Sequence, residues 1–364
     1  MAEFKSMDRR KFIRKSSLGM LALPLITNTS WVFRSEKKKR ITILHTNDMH
    51  SHIDPFSKND KRYAGMGGMR KLGGLINQIR TQEKNVLLLD SGDIFQGTPY
   101  FNKYKGEVEF KIMSNLGYDA STMGNHDFDN GIEGFKNMLQ YSNFPFLCSN
   151  YDFSNTILDG ATKTHLIKEV DGIKVGLLGI GIRLDGLVEK RLFKETKYLD
   201  PSEQANFYAK KLKEDHRCDL IICLSHLGYS YDSTKISDLV LARKSENIDI
   251  ILGGHTHTFL EEATKVTNKK NQSVLVNQAG WGALSLGRID IEFTNKEKTN
   301  NELSANHFLK KNYAKIWISI QVFFFTKTIV KTFFFLTFLL KYLSRYPSYC
   351  LTCFEYRITA LLNF

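Results

Sequence analysis

Five short segments of the chain end in residue types that bind divalent ions. They are D-x-H at Asp48 and His50, GD at Gly92 and Asp93, GNHD at Gly124 to Asp127, SH at Ser225 and His226, and GHTH at Gly254 to His257. Carboxylate, amide oxygen and imidazole together suit Zn²⁺, Mn²⁺ or Fe²⁺, and no matching set of cysteines accompanies them to make a thiolate site. One carboxylate standing between two ions about 3.5–4 Å apart would make a two-metal centre, and Asp93 is the natural bridge. Taken singly each segment is commonplace, since a histidine at the end of a strand is ordinarily a turn residue. Five in one chain, each following an apolar run, call for a common explanation.

Those runs are ITILHTND, NVLLLDSGD, YDASTMGNHD, DLIICLSHLG and IDIILGGHTH, all with the composition of buried strands. Between them GGMRKLGGLINQIR, GEVEFKIMSNLG, GIEGFKNMLQYS and PSEQANFYAKKLKEDH have helical spacing, the last with Pro201 at a first turn. Alternation of this kind predicts an α/β fold. Ligands of such folds bind outside the carboxyl ends of the strands, so five strand ends bearing Asp, Asn and His are five contributors to one site. VDGIKVGLLGI, with Asp171-Gly172 as a hairpin turn, and SVLVNQAGWGALSLGRIDIEF predict further strands, and with them a second sheet packed on the first.

The segments LHTNDMHSH, LLLDSGDIFQGT, MGNHDFDNG and GGHTH resemble the calcineurin-like metallophosphoesterases, and closely the catalytic domain of 5′-nucleotidases, in order and spacing from about Ile41 to about Phe293. The resemblance implies a four-layer α-β-β-α sandwich, two packed mixed sheets flanked by helices. It also implies two divalent ions, one held by Asp48, His50 and His257, the other by Asn125, His226 and His255, with Asp93 shared. His126 would be the catalytic histidine and Asp129 the carboxylate that orients it. The expected reaction is hydrolysis of nucleotide 5′-phosphates, with cyclic phosphodiesters as a further class, by a hydroxide bridging the two ions. Of the remaining polar residues, His45 reads as a core or supporting histidine, His52 as a loop residue and Asp127 as a structural cap. Asp90 is expected to hydrogen-bond a ligand histidine.

The formal charge of +13 is concentrated at the ends: residues 1–40 carry +8 and residues 303–364 carry +7, leaving −2 for the body. A near-neutral body argues against long nucleic acid as a partner. Cys148, Cys218 and Cys223 read as buried thiols on strands, and the lone C-x-x-C at Cys350 and Cys353 as an incidental pair. Near the start, Arg9, Arg10 and Phe12 followed by an apolar stretch from Leu18 to Ile26 resemble a twin-arginine export signal, which predicts an exported, periplasmic or cell-envelope protein.

After Glu302 no acid occurs until Glu355, and ten of the 26 Phe lie beyond residue 303. Lys327 and Lys331 break the apolar run there, so it reads as a frameshifted or read-through tail in preference to a membrane anchor. The organisation expected is thus a signal and basic linker over residues 1–40, a catalytic domain over 41–300 and an atypical tail over 301–364. The second, C-terminal domain usual in 5′-nucleotidases, which grips the nucleoside, is not recognisable in the tail. Three arrangements are open: a separately encoded C-terminal substrate domain as partner, selection of the substrate by loops within the body, or loss of that domain by truncation. The alternatives to the hydrolase reading are a truncated or partner-dependent catalytic subunit without independent activity, or a sulfur-ester hydrolase on the same fold.

Overall fold

The computed structural model describes residues 39–293 and two short strands at 304–305 and 311–312. The twin-arginine-like segment, the Phe-rich tail and its C-x-x-C pair lie outside the described residues. The first four strands, β1 (Lys39–Thr46), β2 (Val86–Asp90), β3 (Ala120–Thr122) and β4 (Phe146–Leu147), run parallel side by side. Parallel neighbours need crossovers, and helices supply them. Helix α1 (Met69–Gln82) joins β1 to β2, α2 (Pro99–Tyr104) and α3 (Glu107–Leu116) join β2 to β3, and α4 (Gly131–Met138) joins β3 to β4.

After a small ribbon strand β5 (Tyr151–Asp152), the hairpin of β6 (His165–Val170) and β7 (Ile173–Ile180) begins the second sheet. Its two-residue turn has Asp171 at φ 53° and Gly172 at φ 75°, the pair of left-handed residues that matches strand twist. Helix α5 (Lys190–Phe193) and β8 (Lys197–Tyr198), the partner of β5, precede α6 (Pro201–Glu214), which starts with Pro201 at its first turn under an Asp200 cap. Strand β9 (Leu220–Ser225), α7 (Asp238–Lys244), β10 (Ile250–Gly253), β11 (Thr264–Thr267) and β12 (Ser273–Gln278) complete the sheet in the order β11-β12-β10-β9-β7-β6. Strand β13 (Ser285–Phe293) then returns to the first sheet beside β1, and β14 (Ser304–Ala305) and β15 (Lys311–Asn312) pair with it.

Both sheets are mixed: the second has a parallel centre between antiparallel edges β11 and β6, whereas the first is parallel from β1 to its edge β4 and antiparallel where β14 and β15 pair β13. Leu44 and Leu88 pack with Leu72, Ile76, Phe110 and Phe135 of the helices on one side. Ile221, Cys223 and Ile251 pack with Ala205, Leu212 and Leu241 of the helices on the other. Because side chains alternate along a strand, the equally buried Ile43, Leu87, Leu89, Ile222 and Leu252 face away from those helices, toward the other sheet. Helices therefore flank two stacked sheets, as expected. Of the three cysteines among the described residues, all buried, only Cys223 lies within a strand; Cys148 and Cys218 sit just outside one. Among the described residues no helix is long and apolar enough to cross a membrane.

The two sheets meet at Gly179 on β7, where a Cβ would lie 1.9 Å from the Leu147 carbonyl oxygen and 2.8 Å from Thr122 Oγ1. Backbone cannot yield there as a flexible side chain would. Gly179→Ala is expected to lower stability by ~1–3 kcal/mol, the usual range for overpacking, seen as a lower urea midpoint for the metal-free protein; an unmoved midpoint would mean that the sheets are not held together at this point.

Candidate metal centre

The parallel strands β1, β2 and β3 deliver their carboxyl ends to one edge of the first sheet, and β9 and β10 do the same for the second. The loops after β1 and β2 lie side by side, with Asp48 N–H donating to Gly92 O at 2.9 Å, His50 N–H to Asp93 O at 3.0 Å and Ser51 N–H to Ile94 O at 2.9 Å. Asp48 and Asp93 thereby enter the same small volume. From the third strand end comes a 3₁₀ turn over His126–Phe128. In such a turn residues three apart eclipse, which puts Asp129 rather than Asp127 beside the catalytic candidate: His126 Nδ1 is 2.8 Å from Asp129 Oδ2.

Asp127 points the other way and braces the loops. Its carboxylate accepts from the N–H groups of Asp93 at 2.9 Å, Ile94 at 3.0 Å, Phe95 at 3.3 Å and Gly124 at 2.8 Å. The structural cap expected at this position is therefore what Asp127 forms. His126 N–H donates in turn to Asp93 Oδ1 at 2.7 Å.

Two clusters of ligand-type atoms result. Asp48, His50 and His257 form one, and Asp93, His226 and His255 the other; within each cluster the atoms lie within 4.8 Å of one another. Asn125 belongs beside the second, with Oδ1 2.8 Å from His255 Nδ1. Asp93 Oδ2 is 3.0 Å from His226 Nε2 and 3.9 Å from His50 Nε2, so it stands between the clusters. Asp48 does so too, with Oδ1 3.3 Å from His257 Nε2 and 3.9 Å from His226 Nε2. All nine residues expected at the site are gathered there.

The atoms present suit divalent cations. His226 Nδ1 faces the Ser91 carbonyl at 2.6 Å; a carbonyl only accepts, so Nδ1 carries a proton and Nε2 is the nitrogen turned to the carboxylates. That Nε2 is buried and, although near Asp93, has no aligned hydrogen-bond partner. The two Nε2 atoms of His50 and His257 face each other at 3.0 Å. Glycine keeps the space open: a Cβ at Gly124 would lie 2.2 Å from Asp93 Oδ1, and one at Gly254 would lie 2.8 Å from His226 Nδ1.

Without a cation, the charges press on each other. Burial opposes ionisation of Asp93, yet the adjacent His226, with His50 and His126, holds its carboxyl well below the usual range. Burial likewise opposes protonation of His226, but Asp93, Asp48 and the Ser91 carbonyl outweigh it and raise the imidazole to about 10. His255 is lowered to about 4 by burial and by its neighbour His226. Hydrogen bonding to Asp129 raises His126 against partial burial.

Some expectations are corrected. Asp90 reaches no ligand histidine: its oxygens accept from Thr46 Oγ1 at 2.6 Å, Gly92 N–H at 2.9 Å and Ser121 Oγ at 2.8 Å, because Thr46 and Ser121 stand beside it in register on the two neighbouring strands and share its face of the sheet. His45 is a core residue, with Nε2 3.0 Å from Asn277 Nδ2. His52 is more than a loop residue, since it stacks on Phe56 with centroids 4.3 Å apart and an angle of 24°.

Other contributors were not legible in the sequence. Asn47 Nδ2 lies 2.6 Å from both Asp48 Oδ2 and Gly280 O. Gln278 holds the GHTH loop from below, its Oε1 accepting from Thr258 N–H at 2.7 Å. Trp281 stacks on His257. Only the G-W-G setting of Trp281 was a signal, and it resembles any loop.

A model of the calcineurin-like phosphoesterase family matches residues 41–259, more than half of the chain. The chain belongs to this family. The trifunctional nucleotide phosphoesterase protein YfkN of Bacillus subtilis is 31% identical over 288 residues, 70% of this chain and 18% of that protein. The 5′-nucleotidase of Bos taurus is 32% identical over 305 residues, 76% of this chain and 50% of its own. The structure of a 5′-nucleotidase precursor from Thermus thermophilus superimposes with a TM-score of 0.65 at 30% identity, covering 75% of this chain and 54% of that one. This chain thus spans half or less of the length of these curated relatives. Phosphoesterases of the family use divalent metals, in keeping with the two clusters.

Asp127→Ala leaves four N–H groups of the two central loops without their acceptor. A loss of roughly 3 kcal/mol or more is expected from the cost of unpaired buried donors, with a smaller loss for Asp127→Asn, which keeps one oxygen. Chemical denaturation of the metal-free variants would show it, and equal stability of all three proteins would remove the bracing role.

Proposed function

We propose that the chain carries the catalytic machinery of a metal-dependent phosphoric ester hydrolase that acts on nucleotide 5′-phosphates. The reading is supported above all by Asp48 and Asp93, two buried carboxylates placed between two clusters of imidazoles, beside a histidine that is itself no part of either cluster. In this reading Asp48, His50 and His257 hold one divalent ion, Asn125, His226 and His255 the other, and Asp93 both. Zn²⁺, Mn²⁺ and Fe²⁺ all suit these donors. Two such ions supply charge neutralisation of the phosphoryl oxygens and a water made nucleophilic at neutral pH.

The chain's own part in the reaction is positional and protic. Asp129 fixes the proton of His126 on Nδ1 and leaves Nε2 as the working atom. With the imidazole raised in basicity by that carboxylate, His126 is protonated readily, can stabilise the trigonal phosphoryl group, and passes a proton from Nε2 to the departing alkoxide. Its backbone N–H, bonded to Asp93, ties its position to the metal-binding carboxylate.

Nucleotides are the substrate class favoured by the names of the relatives, and the share of those relatives that this chain spans favours a second reading, in which a separately encoded domain completes nucleoside recognition. Export by the twin-arginine-like segment would place the reaction in the cell envelope. With Mn²⁺ supplied, the protein is expected to hydrolyse AMP and an aryl phosphate and to stop on chelation. Asp93→Ala should lose nearly all of both activities, and His126→Ala about 10²–10⁴-fold in kcat on AMP. The loss should be smaller on the aryl phosphate, whose leaving oxygen needs no proton. Equal losses would make His126 a charge stabiliser only, and undiminished turnover in either variant would refute the site.

A further inference from the structure

His257 is the least secured member of its cluster. Asp48 and His50 are buried and held by backbone hydrogen bonds, whereas the His257 side chain is 38% exposed. Among the described residues its ring nitrogens have polar contacts only with His50 Nε2 and Asp48 Oδ1, the other two members of the cluster. Both contacts are made at the single atom Nε2, so they do not by themselves set the plane of the ring. Something else must set the plane of the imidazole.

That plane is set by Trp281. The indole lies parallel to the His257 ring, with centroids 5.2 Å apart and an angle of 9°. It is a fixed plate rather than a loose cover. The flanking residues are tied to the segment that carries Asp48: Gly282 N–H donates to Asp48 O at 2.7 Å, and Asn47 Nδ2 donates to Gly280 O at 2.6 Å. Both glycines have positive φ, 77° at Gly280 and 61° at Gly282, which lets the loop turn the indole inward. Its edges meet His52 at 5.2 Å and Phe56 at 5.3 Å, each ring nearly perpendicular to it. One loop thus refers the plane of His257 to the position of Asp48.

We infer that Trp281 is the positioning residue that aligns His257 with Asp48 and so sets the affinity of the Asp48, His50 and His257 cluster for its divalent ion. The inference rests on the two-ion reading of the site. Titration of the full chain with Mn²⁺, followed by electron paramagnetic resonance and by bound metal per chain, separates the two. In the unaltered protein a spin-coupled pair is expected at saturation. Trp281→Leu should weaken one of the two Mn²⁺ ions about tenfold, the lower end of the effect of removing a group that orients a ligand, and leave the other unchanged. An uncoupled six-line signal should then persist to higher Mn²⁺. Trp281→Phe, which keeps a ring against His257, should restore most of the affinity. Phe56→Leu, which removes one of the rings that back the indole, should give a milder version of the same change and serves if Trp281→Leu fails to fold. Two ions bound as tightly as before in Trp281→Leu, or equal weakening of both, would overturn the inference while the two-ion reading stands. No coupled pair in the unaltered protein would overturn both.

Discussion

The structure is organised around an electrostatic demand. Two carboxylates and four imidazoles crowd into one largely buried volume where the loops of two sheets converge. In low dielectric an arrangement of that kind is costly unless cations occupy it. The backbone also bears a cost. Asp48, His50, Asp93, His255 and His257 all have φ between 47° and 72°, a region that non-glycine residues enter at roughly 1–3 kcal/mol each. Five of the seven proposed ligands held in that region mark the place where the fold gives up local comfort for placement.

The surroundings are built to hold that placement. Four aspartates near the site divide into two kinds according to what faces them. Asp48 and Asp93 face imidazoles, and opposite charge keeps Asp93 ionised despite burial. Asp90 and Asp127 face hydroxyls and backbone N–H groups, and burial raises both to about 7. One residue type thus supplies ligands in the first case and scaffolding in the second. Asp127 unites the second and third strand-end loops, Asn47 and Gln278 unite the first and fifth with the 279–284 connection, and His226 reaches from the second sheet to Ser91 of the first. The centre consequently depends on the stacking of the two sheets as much as on either one.

Membership in the calcineurin-like phosphoesterases and the superposition on a 5′-nucleotidase precursor agree with this geometry. The matched relatives are at least twice as long as the segment they share with this chain, so the shared part is the phosphoesterase fold and the chemistry of its metals. The aromatic rings of His52, Phe56 and Trp281, which border the cluster here, are engaged with one another and with His257.

How much of this was readable before folding depends on how local each signal is. Strand composition followed by Asp, Asn or His marked the five strand ends, because a parallel sheet needs buried apolar runs and its active residues must follow them. The Asp171-Gly172 turn and the helix starting at Pro201 were equally legible, being governed by φ preferences of single residues. The resemblance of the motifs to a known family also pointed to the nine residues that the structure brings together. What the chain could not announce was the partner of Asp90: three positions before Asp93, it is taken up by the hydroxyls of Thr46 and Ser121 on the neighbouring strands and reaches no ligand histidine. Trp281 was illegible for the same reason. Its meaning lies in a crossing from β12 in one sheet to β13 in the other, which brings an indole from residue 281 against an imidazole at 257, and a contact of that kind is created by tertiary packing alone.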